Sequence, residues 1–305
     1  MGRTLLVGRS GASWYEWLRE NRKARDLIVL DPSDAHYGPG ARLWMIRGDR
    51  PLYSCFYGSL DPGRAPHMMA AALSDFLQRA NADAIVQLFS YRPSPLHRQT
   101  AHMVASMVQP ETLLIETGTE IDGDGWPIGP EYLELPVGLP PMVVAAQRKA
   151  QWLKLIERGN AHEVILHGLC IQGARLGSGT PLDEHARVRV GLVEAQYAEV
   201  CGSALLIVGG GGLSESTISR ALDLTHTKRT FLVEADEYSN LLCSFVRQNG
   251  EEFGFGMIER IDFESGVLHV RSDAIPPVPV HIMRLGSLKV DRDGRELGEV
   301  RPWQV

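Results

Sequence analysis

Cysteine is scarce in this sequence: Cys55, Cys170, Cys201 and Cys243 are the only four among 305 residues. They lie too far apart for a C-x-x-C metal or redox pair and are too few for a dense disulfide framework, so reduced core thiols in a cytoplasmic protein are expected. Long apolar runs are missing as well. No stretch approaches the ~18 apolar residues of a membrane span, and the opening Met-Gly-Arg-Thr-Leu-Leu-Val-Gly is too short in apolar residues for a secretory signal. Positive charge is not in excess either, since 31 Lys and Arg against 37 Asp and Glu leave a net charge of -6. The whole molecule therefore has no field that would draw it onto nucleic acid or an anionic membrane, and any nucleic-acid site must be a local patch. Internal repeats, low-complexity segments and a Gly/Ser-rich linker are absent too.

What is present is an ordinary globular composition, 44% hydrophobic and 22% charged, on a chain long enough for two domains. Short apolar runs bounded by Gly, Pro, Asp or Ser alternate with helical periodicity over the first two hundred residues. That alternation predicts an α/β domain over 1–201, with a mostly parallel sheet and helices on both faces. The expected strands are Thr4–Val7, Leu27–Leu30, Tyr53–Tyr57, Ala84–Phe89, Thr112–Ile115, Met142–Ala145 and Val164–Leu166. Helices are expected over His67–Ala80 and Gln147–Arg158, and after a Thr180 cap with Pro181 at the first position, running to about Val200. Beyond Gly202 come a strand over Ala204–Val208, the run Gly209–Gly212, a helix capped by Ser214 and then hairpin signals. These predict a small β-rich domain over 202–305.

In a parallel sheet, ligands sit beyond the carboxyl ends of the strands, which directs attention to three turns. Gly8-Arg9-Ser10-Gly11-Ala12-Ser13 follows the first strand and offers free backbone N–H groups to a phosphate, with Ser13 as a candidate magnesium ligand. A full P-loop reads G-x-x-x-x-G-K-[ST]; this turn is two residues shorter between its glycines and carries Ala12 where the lysine would stand. On its own it reads first as a tight strand-to-helix turn, with a reduced phosphate cradle as the alternative. Asp31 follows the second strand, where a carboxylate can hold a metal-bound water or take a proton, or can simply cap turn amides. Glu116-Thr117-Gly118-Thr119 follows a later strand and reads as substrate-approaching or as an ordinary turn. Arg187 and Arg189 could neutralise phosphoryl charge from the helix after Thr180, or serve solubility.

Other templates fail. Asp122-Gly-Asp124-Gly opens like a calcium loop, but its twelfth position is Leu133 rather than Glu. His97 and His102, like His162 and His167, are spaced wrongly for H-E-x-x-H, and no G-x-S-x-G elbow occurs. The basic run Arg19, Arg22, Lys23, Arg25 reads as the solvated end of the first helix, with a phosphate-binding patch as the alternative.

In order along the chain, these features resemble the P-loop polynucleotide 5'-hydroxyl kinase family, which includes pre-mRNA cleavage and pre-rRNA processing factors and archaeal and bacterial kinases. Leu27–Asp31 through Tyr37-Gly38-Pro39-Gly40 resembles the family's second strand and its Asp-rich turn, and Tyr53–Ser59 the strand that follows. Thr112–Gly118 resembles the strand bearing the substrate clasp, with the Gly displaced by one position. Val143–Arg148 is similar to a strand and turn of the bacterial members, and Arg187–Tyr197 to the Arg-bearing lid helix. Gly254–Pro279 and Arg284-Leu-Gly286 resemble the carboxy-terminal β domain.

The resemblance implies transfer of an ATP γ-phosphate to a 5'-hydroxyl of RNA or DNA, with Mg2+ as cofactor. It places Gly8, Arg9, Gly11 and Ser13 at the triphosphate, Ser13 and Asp31 near the metal, Asp31 as base, Thr117 and Gly118 at the clasp, and Arg187 or Arg189 in the lid. The short turn without its lysine implies a degenerate relative that binds a nucleotide or polynucleotide ends with little or no transfer. An active divergent kinase and a non-catalytic assembly protein are the alternatives.

Overall fold

The apolar runs after Arg3, Asp26 and Asp83 have no polar alternation, which requires cover on both faces. The computed structural model, which describes residues 2–121, 125–136, 138–209, 211–274 and 280–300, shows them at the centre of a seven-stranded sheet. Its strands are β1 (Thr4–Val7), β2 (Leu27–Val29), β3 (Arg42–Arg47), β4 (Arg50–Phe56), β5 (Ile85–Gln87), β6 (Thr112–Glu116) and β7 (Glu131–Leu133), in the order β4-β3-β2-β5-β1-β6-β7. The five strands β2, β5, β1, β6 and β7 run parallel, and the β3–β4 hairpin extends the sheet antiparallel.

Side chains alternate across this sheet. Helix α1 spans Tyr15–Asn21. Leu5, Val7, Ile28 and Val86 meet Met69, Leu73 and Phe76 of α2 (Pro66–Arg79) and Ala101, Val104 and Val108 of α3 (Pro95–Val108) on one face. Leu6, Leu27, Val29 and Ile85 meet Trp14 and Leu18 of the segment leading into and through α1 (Tyr15–Asn21) on the other. Each such fully buried aliphatic contributes roughly 1.5–3 kcal/mol. The sheet is thus mostly parallel with helices on both faces, as expected.

Several local expectations change. Met142–Ala145 is not a strand but the first turn of α4 (Pro141–Arg158), where Pro141 suits the start of a helix and Met142 is exposed. Thr180–Pro181 is itself a short strand, and Asp183 caps α5 (Glu184–Val190) by accepting from the Ala186 N–H at 2.7 Å. That helix ends at Gly191, whose φ of +84° closes it, and Tyr197–Cys201 is a strand.

Two compact units divide at Trp152 and Leu153, so the expected boundary at 201/202 falls inside the second unit. The physical reason is pairing: Asn160–Ile165 and Cys170–Gln172 join the same sheet as strands beyond residue 240. Val164, expected in the parallel sheet, lies in this one. After Gly202 the expected strand Ala204–Val208 and the Ser214-capped helix, Glu215–Thr225, are present, and Leu241–Val246, Glu252–Asp262, Val267–Ser272 and Ile282–Val290 are strands where hairpins were expected. Residues 122–124, Gly210 and residues 275–279 lie outside the described residues. No described helix is long and apolar enough to cross a membrane. All four cysteines are free, but only Cys243 is buried; Cys170 is exposed, which corrects the expectation of four core thiols.

Candidate functional site

β1 delivers Gly8 to the carboxyl edge of the sheet, and the chain then winds into a tight helical turn over Gly11–Trp14 that runs directly into α1. Ser10 caps the turn, its hydroxyl accepting from the Ala12 N–H at 3.3 Å. Three donors of this loop share one acceptor group. The Arg9 N–H donates to Glu116 Oε2 at 2.7 Å, the Arg9 guanidinium donates to Oε1 at 3.2 Å, and the Ser13 hydroxyl donates to the same oxygen at 3.3 Å. Glu116, at the end of β6, is buried, so one protein carboxylate collects the donors that a phosphate would otherwise receive.

The fit around this carboxylate is close. A Cβ on Gly8 would lie 2.8 Å from Glu116 Oε2 and 2.6 Å from the Trp14 indole nitrogen, and a Cβ on Gly138 would lie 2.8 Å from the Ser13 hydroxyl. The segment after β7 therefore covers Ser13 at contact distance.

Thr117 and Gly118 are exposed in the turn beyond Glu116, with the Thr117 N–H donating to the Leu133 carbonyl at 2.8 Å. Gly118 has a φ of +82°, and the Arg9 guanidinium lies against it. Gly8, Arg9, Ser13, Thr117 and Gly118 are thus brought together around Glu116.

Asp31 stands at the end of β2, buried, with both oxygens engaged. Oδ1 accepts from the Ser33 N–H at 2.9 Å and hydroxyl at 2.6 Å, and Oδ2 from the Ser90 N–H at 3.1 Å and hydroxyl at 2.8 Å. It ties the turn after β2 to the one after β5.

Sequence reasoning missed its neighbours. Asp34 is buried, its Oδ1 accepting from the Tyr15 hydroxyl at 2.9 Å and the His36 N–H at 2.7 Å, while Oδ2 has no hydrogen-bond partner. Burial pushes its carboxyl up to about 6 against the pull of the His36 N–H. Gln87 lies here as well: a Cβ on Gly11 would come 2.6 Å from its amide nitrogen and 3.4 Å from Asp31 Oδ2. The only signal in the sequence was the Asp31-x-x-Asp34 spacing.

Arg187 and Arg189 belong to α5 in the second unit. The Arg187 guanidinium donates to the Ala195 and Gln196 carbonyls at 2.7 and 2.6 Å, closing the helix end, while Arg189 is exposed. Among the described residues no cluster of three or more His, Cys, Asp or Glu is arranged to hold a metal ion. With Ser13 donating to Glu116 and both Asp31 oxygens occupied, the turn as arranged does not fit a magnesium triphosphate.

No protein-family profile and no curated protein matches the chain. Solved structures do. One, from work on the extended interface between Pcf11p and Clp1p and on ATP loss in a glycine-to-arginine point mutant, superposes with a TM-score of 0.50 at 11% identity, covering 94% of this chain and 75% of the other. A wild-type Clp1p–Pcf11p complex gives 0.52 at 12% identity, covering 94% and 74%. At such identity the likeness speaks for the fold alone, and that fold, a mostly parallel sheet with a β-rich carboxy-terminal region, is similar to the one found in the Clp1p–Pcf11p structures.

Proposed function

We propose that the chain is a degenerate relative of the polynucleotide 5'-hydroxyl kinases that takes part in RNA processing by binding polynucleotide ends, with little or no phosphoryl transfer. One observation carries the reading: the Arg9 N–H, the Arg9 guanidinium and the Ser13 hydroxyl all donate to Glu116. Phosphoryl transfer is catalysed almost wholly by positioning and by donors aimed at developing charge. Here a carboxylate takes those donors and would repel a triphosphate. Each Asp31 oxygen already accepts two hydrogen bonds, so a substrate hydroxyl would have to displace one of those donors to reach it.

A second reading, a non-catalytic assembly protein, is favoured by the neighbours themselves, which are protein–protein complexes. The test is transfer of labelled γ-phosphate from ATP and Mg2+ to a 5'-hydroxyl oligonucleotide, with calorimetric titration of ATP. The expected result is no transfer and no tight ATP binding. Labelled 5' ends formed by the wild type and lost with Asp31→Asn establish the active-kinase alternative instead. Oligonucleotide binding without transfer separates the end-binding reading from the assembly reading.

A further inference from the structure

Along α1 lies a cleft of about 700 Å³, within the size range of small-ligand sites. One wall is aromatic. His36 is exposed between Tyr15, 4.4 Å away between ring centroids and tilted by 32°, and Tyr37, 4.7 Å away and edge-on. The Tyr15 ring is fixed by its hydroxyl bond to Asp34. Although the residue is accessible, the Tyr15 and Tyr37 rings partly desolvate the His36 imidazole and hold it below its ordinary value, so near neutrality it is uncharged.

The other wall is cationic. Tyr15 and Arg19 lie one turn apart on α1, Lys23 follows the end of that helix with a φ of +51°, and Arg19 and Lys23 are exposed. Arg22 lines the same cleft but is buried, donating to the Arg25 and Ile46 carbonyls. The basic run is thus not uniformly solvated: Arg22 and Arg25 bond backbone oxygens, and Arg19 and Lys23 remain exposed at the cleft. Glu16 and Asp49 also line it, so three cations face two carboxylates.

We propose that this cleft binds a nucleotide phosphate, with the base against the His36 and Tyr37 rings and the phosphate between Arg19 and Lys23. Flat rings beside exposed cations are what a stacked base with its charged linkage requires; a bare anion would leave the aromatic wall without a role. The near balance of charge gives modest affinity for phosphate alone. The residues named for this cleft are not those of the Gly8–Ser13 turn.

The experiment is a fluorescence-anisotropy titration of the full chain with a short labelled single-stranded oligoadenylate, competed with AMP, adenosine and inorganic phosphate. Exposed positions allow the Arg19→Glu/Lys23→Glu pair to be made with little risk to folding, and circular dichroism verifies it. The pair is expected to weaken binding roughly tenfold or more and to flatten the salt dependence by about 0.7 in log–log slope, the counterion release of one phosphate. His36→Ala is expected to weaken it about tenfold through lost stacking. Competition by AMP identifies a free nucleotide as a sufficient ligand; binding of the oligoadenylate without such competition identifies a polynucleotide. Absence of binding by the wild type to either, or binding that survives the folded Arg19→Glu/Lys23→Glu variant, overturns the proposal. So does binding lost with Arg9→Ala yet retained in that variant, since it would place the ligand at the turn.

Discussion

Glu199 in the second unit and Asp34 in the first are both shut away from water, yet their surroundings differ. Four donors converge on Glu199: the Gly177 and Ser178 N–H groups at 3.2 and 3.3 Å, the Tyr197 hydroxyl at 2.8 Å and the Cys201 thiol at 3.2 Å. Asp34 receives two, both on Oδ1, and Oδ2 has no hydrogen-bond partner. The difference shows what a buried carboxylate does in each place. A fully donated one ties loops together and keeps its neighbours inert; burial next to Glu199 drives the Cys201 thiol up to about 11 and the Tyr197 hydroxyl further above its ordinary range. One with a spare oxygen stays sensitive to pH. Glu116 stands between them, buried and donated to, but by the very groups a phosphate would use.

The comparison breaks first at Glu199. Glu199→Ala leaves two backbone N–H groups and a tyrosine hydroxyl without their acceptor, and is expected to destabilise the protein by about 4 kcal/mol in urea unfolding. Asp34→Asn acts in the opposite direction. Because burial raises the folded carboxyl from 3.8 to about 6, the native state holds a proton there that the unfolded state has released. Stability from this group is therefore full below about pH 4 and falls as pH rises through 6. The loss is about 3 kcal/mol, and Asp34→Asn is expected to remove that slope and to stabilise the protein near neutrality. Asp26 is the internal control: the Arg47 guanidinium holds its carboxyl below the ordinary value, so its contribution is present at neutral pH and disappears only on acidification.

Glu116→Ala is expected to destabilise by about 2 kcal/mol by orphaning the Arg9 N–H and the Ser13 hydroxyl. Inorganic phosphate should then raise the Tm of the variant and leave the wild type unmoved; equal response in both would show that Glu116 does not fill an anion position. The smallest effect belongs to Gly118→Ala, about 1 kcal/mol, from placing a side chain at a φ of +82°.

How much of this was readable beforehand differs between elements. Ser214 and the run behind it predicted the helix Glu215–Thr225 because a hydroxyl cap and helical periodicity act within one turn of chain. Met142–Ala145 was misread because four apolar residues in a row satisfy either period, and Pro140-Pro141 weighed too little against them. The helix after Thr180 was extended past Gly191 although a glycine there closes it. β3, Arg42–Arg47, went unrecognised: its hydrophobic run depends on pairing with β2 and β4. Of the site, the turns carrying Gly8, Asp31 and Glu116 were found at strand ends, while the bonds among them were not.

The sequence by itself determined the strand and helix alternation, the β-rich ending, the short turn with Ala12 in place of lysine and the absence of any apolar span, because each is encoded in residue type and near-neighbour spacing. Tertiary structure alone decided that Glu116, more than a hundred residues along the chain from Arg9 and Ser13, would take their donors, and that Asp34 would be buried with an oxygen to spare. It also decided that His36 and Tyr37 would face Arg19 and Lys23 across one cleft. Such contacts depend on which strand ends the sheet order brings side by side, and no local pattern specifies that order.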